Sequence, residues 1–134
     1  MNRTVLVVDD DRQVLSLLEA LLTRAGYSVR LAEGAVQAME WLEKERPGAV
    51  VLDIMMPVRS GIEVLEHIRW KPNLAGLPVI VLSAIQLTKE EQDFVAEFTV
   101  GFVDKGNIQQ VLEHLERVLR PGRNPLAADP SEAP

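Results

Sequence analysis

The stretch Ala49-Val50-Val51-Leu52-Asp53 is an unbroken apolar run, rich in β-branched residues, that ends abruptly in a carboxylate. Val5–Val8 and Val79–Leu82 are runs of the same kind. None of the three alternates apolar with polar residues, which is typical of parallel strands covered by helices on both faces. We therefore predict that these runs are interior strands of a parallel sheet.

Helical patterns separate these strands. Apolar stripes at helical spacing predict helices around Val14, Leu18, Leu21 and Ala25; around Ala35, Ala38, Met39 and Leu42; around Ile62, Leu65 and Ile68; and around Ile108, Val111, Leu112, Leu115 and Leu119. A capping box at Thr88–Glu91 opens one more helix. Asp11 and Asn107 are predicted N-caps, and Gly26 is a predicted C-cap.

Shorter outer strands at Tyr27–Leu31 and Val100–Asp104 bring the count to five strands alternating with five helices. This alternation predicts an α/β fold with helices on both faces of a five-stranded parallel sheet. Right-handed crossovers and the strand count favour the flavodoxin-like order 2-1-3-4-5.

Composition bounds the function. The 134 residues fit one domain, predicted over residues 1–120, and residues 121–134, with four prolines and no apolar periodicity, predict a flexible tail or linker. A net charge of -6 argues against direct nucleic-acid binding by this chain. No apolar run is long enough for a membrane span and no signal-peptide pattern is present, so a cytoplasmic location is expected. Without cysteine, metal chemistry must use mainly oxygen ligands.

Polar groups follow the apolar strands where each strand ends: Asp9 and Asp10, Asp53, Ser83 and Lys105. Ligands bind at this edge in open α/β sheets, so we expect the five groups to converge. Three crowded carboxylates repel one another unless a cation neutralises them, and Mg²⁺ prefers carboxylate and phosphoryl oxygens. A lysine and a hydroxyl suit a phosphoryl group, which predicts that Asp53 is the carboxylate that accepts it.

In this combination the motifs resemble the receiver domain of bacterial two-component response regulators: Val8-Asp9-Asp10-Asp11, Leu52-Asp53-Ile54-Met55-Met56-Pro57, Gly61, Ser83-Ala84 and Lys105. The resemblance, which is to chemotaxis-regulator-like members, covers roughly Thr4 to Arg120. It implies a signalling domain that catalyses only its own phosphorylation and dephosphorylation.

The resemblance also implies a role for each matching residue. Asp53 is the phosphoacceptor, Asp10 and Asp53 bind Mg²⁺ directly with the Met55 carbonyl, and Asp9 acts mainly through water. Ser83, the Ala84 N–H and Lys105 hold phosphoryl oxygens, while Ser83 and Phe102 form the switch. The implied partners are a sensor histidine kinase or phosphotransfer protein and a downstream protein that reads the face of helix 4, strand 5 and helix 5; homodimerisation stays open.

Four features of the sequence depart from the family pattern. Gly106 stands where proline usually follows the lysine in a cis peptide, so a trans bond is expected here. Phe98-Thr99-Val100-Gly101 replaces a more polar approach to strand five, and Phe102 lacks the hydroxyl of the commoner tyrosine. Met55 places an apolar side chain two residues after Asp53, and we hypothesise that it slows attack by water.

Other interpretations remain open at this point. A haloacid-dehalogenase-type phosphatase also uses a strand-end aspartate, but it needs a second aspartate where Met55 stands. A phosphorylation-independent scaffold on the same fold is the other alternative. Taken singly, the acidic run could be a helix N-terminus, Lys105 a surface charge and Phe102 a core residue. Acetyl phosphate labelling distinguishes the switch from these alternatives.

Overall fold

The computed structural model describes residues 2–56, 61–84 and 88–119. The elements in chain order are β1 (Thr4–Val8), α1 (Arg12–Arg24), β2 (Ser28–Ala32), α2 (Ala35–Lys44), β3 (Ala49–Asp53), α3 (Gly61–Trp70), β4 (Val79–Ser83), α4 (Lys89–Phe98), β5 (Gly101–Asp104) and α5 (Gln110–Leu119). Short 3-10 turns lie at Pro72–Leu74 and Lys105–Asn107. The predicted tail at 121–134 and Pro57 of the motif lie outside the described residues.

The sheet is parallel throughout, with strand order β2-β1-β3-β4-β5. The predicted fold class and strand order are therefore confirmed. β1 and β3 are neighbours, since Val5 pairs with Ala49 and Val8 with Leu52. This pairing places Asp9 and Asp53, which end the two runs, beside each other at the carboxyl edge of the sheet.

Each face of the sheet has its own hydrophobic core. One core joins the sheet to α2, α3 and α4, with Leu52, Leu65 and Val95 among its buried members. The other joins it to α1 and α5 through residues such as Leu18 and Leu115. All five residues of β3 are buried because helices cover both faces, which explains why its sequence does not alternate.

Helix ends test the predicted caps. The Asp11 side chain accepts a hydrogen bond from the Gln13 N–H, and Thr88 and Glu91 form the complete capping box, so both predictions are confirmed. The helix predicted to end at Gly26 has Ala25 as its C-cap, and Gly26 follows with a φ of 97°. Glycine is the usual residue at a position just past a helix where the backbone is left-handed.

The helix predicted around Val14, Leu18, Leu21 and Ala25 is confirmed as α1, and one predicted cap was wrong. In α1 the buried residues are Leu15, Leu18 and Leu22, and Val14 and Leu21 are partly buried and pack against the same core. Asn107 does not cap α5. It ends the 3-10 turn, and α5 begins at Gln110.

Among the described residues, no helix is long and apolar enough to cross a membrane.

Candidate functional site

The site is built around Asp53, the last residue of β3, whose side chain is almost fully buried. Its Oδ2 lies 3.2 Å from Lys105 Nζ, and its Oδ1 accepts a hydrogen bond of 3.0 Å from the Met55 backbone N–H. The two oxygens therefore have different partners, and the carboxylate is held in one orientation.

Asp9 lies on the neighbouring strand end and is completely buried. Its Oδ1 accepts a hydrogen bond of 2.8 Å from the Asp11 N–H, and its Oδ2 forms a 2.8 Å ion pair with Lys105 Nζ. Lys105 thus bridges the two buried carboxylates of Asp9 and Asp53. Apart from this ion pair, Asp9 Oδ2 has no hydrogen-bond partner in the described part of the chain.

Asp10 completes an acidic triad with Asp9 and Asp53. One carboxylate oxygen from each of the three residues lies within 4.8 Å of the others, and Asp10 is the exposed member. Three carboxylates face one lysine, which leaves an excess of negative charge in a largely buried site. An excess of carboxylates over ammonium groups and an all-oxygen donor set fit a hard divalent cation, and Asp10 is the member of the triad exposed to solvent.

The pKa values of Asp9 and Lys105 reflect this crowding. Burial raises the pKa of Asp9 to about 6, and the charge of Asp53 adds to that rise, while hydrogen bonds from Lys105 and Asp11 act against it. Burial by itself lowers the pKa of Lys105, but its hydrogen bond to Asp9 and the charges of Asp9 and Asp53 outweigh burial and raise it. Lys105 therefore stays protonated. One ammonium group does not neutralise three carboxylates, so the cluster has room for a further positive charge.

The other predicted site residues are placed as follows. Ser83 ends β4, one strand away from Asp53, and is buried, while Ala84 after it is exposed. The Met55 side chain is 45% exposed beside Asp53. Phe102 is not in the carboxylate cluster, because it pairs with Val81 two residues before the end of β4, and its ring is 43% exposed. The structure therefore places Phe102 on β5 as an exposed aromatic residue outside the carboxylate cluster.

The loop after β5 contains Gly106 at the position where the family usually has proline. No cis peptide bond occurs among the described residues, so Lys105–Gly106 is trans as expected. Lys105 begins a 3-10 turn, in which Asp104 Oδ1 accepts a 2.7 Å hydrogen bond from the Gly106 N–H.

Two residues near the site were given no role from the sequence. Gly61, the first residue of α3, is so close to the end of β3 that a Cβ there would lie 2.2 Å from the Asp53 carbonyl oxygen. Its N–H donates to the Ile54 carbonyl at 3.1 Å. Asp104, which accepts the hydrogen bond from the Gly106 N–H, is the other residue. The signals in the sequence were a glycine at the start of a helix and an aspartate before Lys-Gly, but neither pattern reveals these contacts by itself.

Fold and site together define a class of protein. The chain belongs to the response regulator receiver domain family, whose model matches residues 5–116. Response regulator MprA of Mycobacterium tuberculosis strain H37Rv is 44% identical over 101 residues, which are 75% of this chain and 40% of MprA. The chain spans about two fifths of the length of the curated relatives it matches.

Solved structures show the same similarity. The N-terminal domain of a response regulator receiver protein from Methanoculleus marisnigri JR1 has a TM-score of 0.71 and 34% identity, covering 87% of this chain and 96% of that one. The receiver domain of the sensor histidine kinase PA1611 from Pseudomonas aeruginosa PAO1 also has a TM-score of 0.71, with 25% identity over 84% of this chain and 96% of that one. The PA1611 structure has a magnesium ion coordinated in its active site cleft.

Proposed function

We propose that this chain is a phosphorylation-operated switch, in which Asp53 takes a phosphoryl group from the phosphohistidine of a sensor histidine kinase or phosphotransfer protein. The observation that carries the proposal is the ammonium of Lys105, which lies between the carboxylates of Asp53 and Asp9 at 3.2 and 2.8 Å. A buried nucleophile held beside a cation and an acidic triad is suited to receive a dianionic group, and membership of the receiver family supports the same conclusion.

In the proposed transfer, a carboxylate oxygen of Asp53 attacks phosphorus. The new O–P bond forms as the P–N bond to the donor histidine breaks, and the imidazole leaves with the bonding electrons and takes up a proton. Lys105 moves from pairing two carboxylates to pairing a phosphoryl oxygen, while the Ser83 hydroxyl and the Ala84 N–H hold the others. The reaction needs little proton transfer from the protein, so placement and charge are the main contributions of these residues.

Asp10 and Asp53, together with the Met55 carbonyl, would hold Mg²⁺ directly, and Asp9 would act mainly through water. Bound Mg²⁺ supplies positive charge that neutralises the acidic triad and the phosphoryl oxygens. The excess of three carboxylates over one lysine supports this assignment. The magnesium in the related PA1611 cleft supports it independently.

The output in this proposal is a change at the face of α4, β5 and α5. Phe102 lies beside a groove of about 490 Å³ between α4 and β5, lined by Val95, Ala96, Thr99 and Val100. A phosphorylated Asp53 would draw in Ser83, and Phe102 would then turn into the groove, so that a downstream protein reads the altered face. The size of the effect is limited by the difference in that protein's affinity for the two states.

The proposal is tested by incubating the chain with acetyl phosphate and measuring its intact mass. One phosphate per chain is expected in the presence of Mg²⁺, and none after the metal is removed with EDTA. An unmodified protein would support a phosphorylation-independent scaffold instead. Steady release of phosphate from monoesters would point to a phosphatase, although Met55 stands where such an enzyme needs an acid/base group.

Met55→Asn is expected to shorten the lifetime of the aspartyl phosphate by severalfold. The thioether side chain next to Asp53 offers no hydrogen bond of useful strength to an attacking water, whereas an amide would orient one. Loss of the phosphate adduct is followed by intact mass after the donor is removed. Met55→Leu is the matched control and should keep the wild-type lifetime, since it is apolar and of similar volume. Equal lifetimes in Asn and wild type would contradict the idea.

A further inference from the structure

We infer that Asp104 is a positioning residue for Lys105, and that it acts through the hydrogen bond its side chain accepts from the Gly106 backbone N–H. The inference rests on the proposed role of Lys105 in phosphoryl transfer. Asp104 is the last residue of β5. Among the interactions of the described residues, it makes none with Asp53.

The hydrogen bond closes across Lys105. Asp104 is the N-cap of the 3-10 turn Lys105–Asn107, with φ and ψ of -72° and 137°, and its Oδ1 lies 2.7 Å from the Gly106 nitrogen. A carboxylate acceptor makes such a bond short and stronger than a neutral one. The bond therefore fixes the backbone on both sides of the residue whose side chain enters the site.

The position of the Lys105 ammonium depends on the backbone conformation at Lys105, because the side chain is long and flexible. Four methylene groups connect its Cα to a nitrogen that must reach two targets, Asp9 Oδ2 at 2.8 Å and Asp53 Oδ2 at 3.2 Å. Each freely rotating bond multiplies the positions open to Nζ, so a backbone held in one conformation reduces the number of states from which the nitrogen must be ordered between the carboxylates. A loosened turn would increase that number.

Gly106 suits this bond in two ways. It supplies the N–H donor, and it leaves space for the acceptor, since a Cβ at position 106 would lie 3.0 Å from Asp104 Oδ1. In the sheet register, Asp104 pairs with Ser83, so the turn begins level with another residue of the proposed phosphoryl site. The turn thus starts at the edge where the phosphoryl group would be bound.

A simple effect of the Asp104 charge on the labelling rate predicts a different outcome from positioning of Lys105. The Asp104 side chain is exposed, and its negative charge near the site would repel an anionic phosphodonor. If charge were the only influence, Asp104→Asn and Asp104→Ala would both speed labelling to the same extent. If Asp104 positions Lys105, asparagine should substitute for it, because the amide oxygen still accepts the hydrogen bond.

The test compares the initial rate of acetyl phosphate labelling at saturating Mg²⁺ in the wild type, Asp104→Asn and Asp104→Ala. We expect the asparagine variant to stay within about twofold of wild type and the alanine variant to be about tenfold slower, because only alanine removes the acceptor of the hydrogen bond. Melting temperatures check that all three are folded. Gly106→Ala crowds the same bond from the donor side and should also slow labelling, by less.

A Lys105→Ala background separates positioning from a general structural effect. In that background Asp104→Ala should cause no further slowing, because Lys105 is no longer there to be positioned. Equal rates for the asparagine and alanine variants, or slowing by Asp104→Ala that persists without Lys105, would overturn the inference. A wild-type rate for Lys105→Ala alone would instead contradict the proposed role of Lys105, so the two failures are distinguishable.

Discussion

Asp53→Asn is expected to abolish labelling by acetyl phosphate and, in the absence of Mg²⁺, to stabilise the folded chain. The amide keeps the shape of the carboxylate but is too weak a nucleophile to attack phosphorus at an appreciable rate. The substitution also removes one of three negative charges that share a single lysine in a buried cluster. An intact-mass spectrum with a single unmodified peak is the first expected result.

The gain in stability follows from the same geometry. The charge of Asp53 helps to raise the pKa of Asp9, which shows that the two carboxylates oppose each other. Removing one of them relieves that repulsion and leaves Lys105 paired with Asp9 at 2.8 Å. We expect the free energy of unfolding in urea to rise by about 1 kcal/mol without metal.

Asp93→Asn is the matched control, because Asp93 is an exposed carboxylate on α4 outside the triad. Its labelling should equal that of the wild type, and its stability should change by less than about 0.5 kcal/mol. A phosphate adduct on the Asp53→Asn protein would place the phosphoacceptor elsewhere. A loss of stability would mean that the ion pair between Lys105 and Asp53 outweighs the repulsion among the carboxylates.

Gly61→Ala is expected to slow labelling by about a hundredfold or more. A Cβ on residue 61 would meet the Asp53 carbonyl oxygen at 2.2 Å and the Ile54 Cα at 2.7 Å, so the backbone of Asp53 has to move. A displacement of the order of 1 Å in a reacting group can cost about this factor in rate. The initial rate at saturating Mg²⁺ measures the effect.

Gly48→Ala provides an equally severe clash away from the site. A Cβ on residue 48 would lie 2.2 Å from the Asn2 carbonyl oxygen, at the opposite edge of the sheet. Both variants should lose stability, yet Gly48→Ala should keep the labelling rate at temperatures where circular dichroism shows it folded. Similar slowing in the two variants would mean that global destabilisation, not the position of Asp53, explains the loss.

Much of the candidate site follows from the sequence because it depends on where strands end. Asp9, Asp53 and Ser83 each come directly after an apolar run, and parallel strands place such ends along one edge. Local hydrogen bonds such as those of Asp11 and Thr88 could also be predicted from the sequence, because the donor and acceptor are within three residues of each other. Interactions of short range in the chain are encoded by short patterns.

Predictions failed or were absent where distant segments determine the outcome. Leu15 and Leu22, which the predicted apolar stripe did not include, are buried in α1, since the sheet and α5 select the side of the helix that they cover. The start of α5 moved from the predicted Asn107 cap to Gln110, because the Asp104–Gly106 hydrogen bond winds a separate turn first.

By itself, the sequence determined the class of fold, the order of strands, the acidic triad and its companions Lys105 and Ser83, because residue type and spacing specify these. Only the tertiary structure decided that Lys105 is shared between Asp9 and Asp53, that Gly61 lies against the backbone of Asp53, and that Phe102 is exposed. Those features depend on distances of a few ångströms between residues far apart in the chain. Such distances are set by the packing of both cores against the sheet, which no local pattern records.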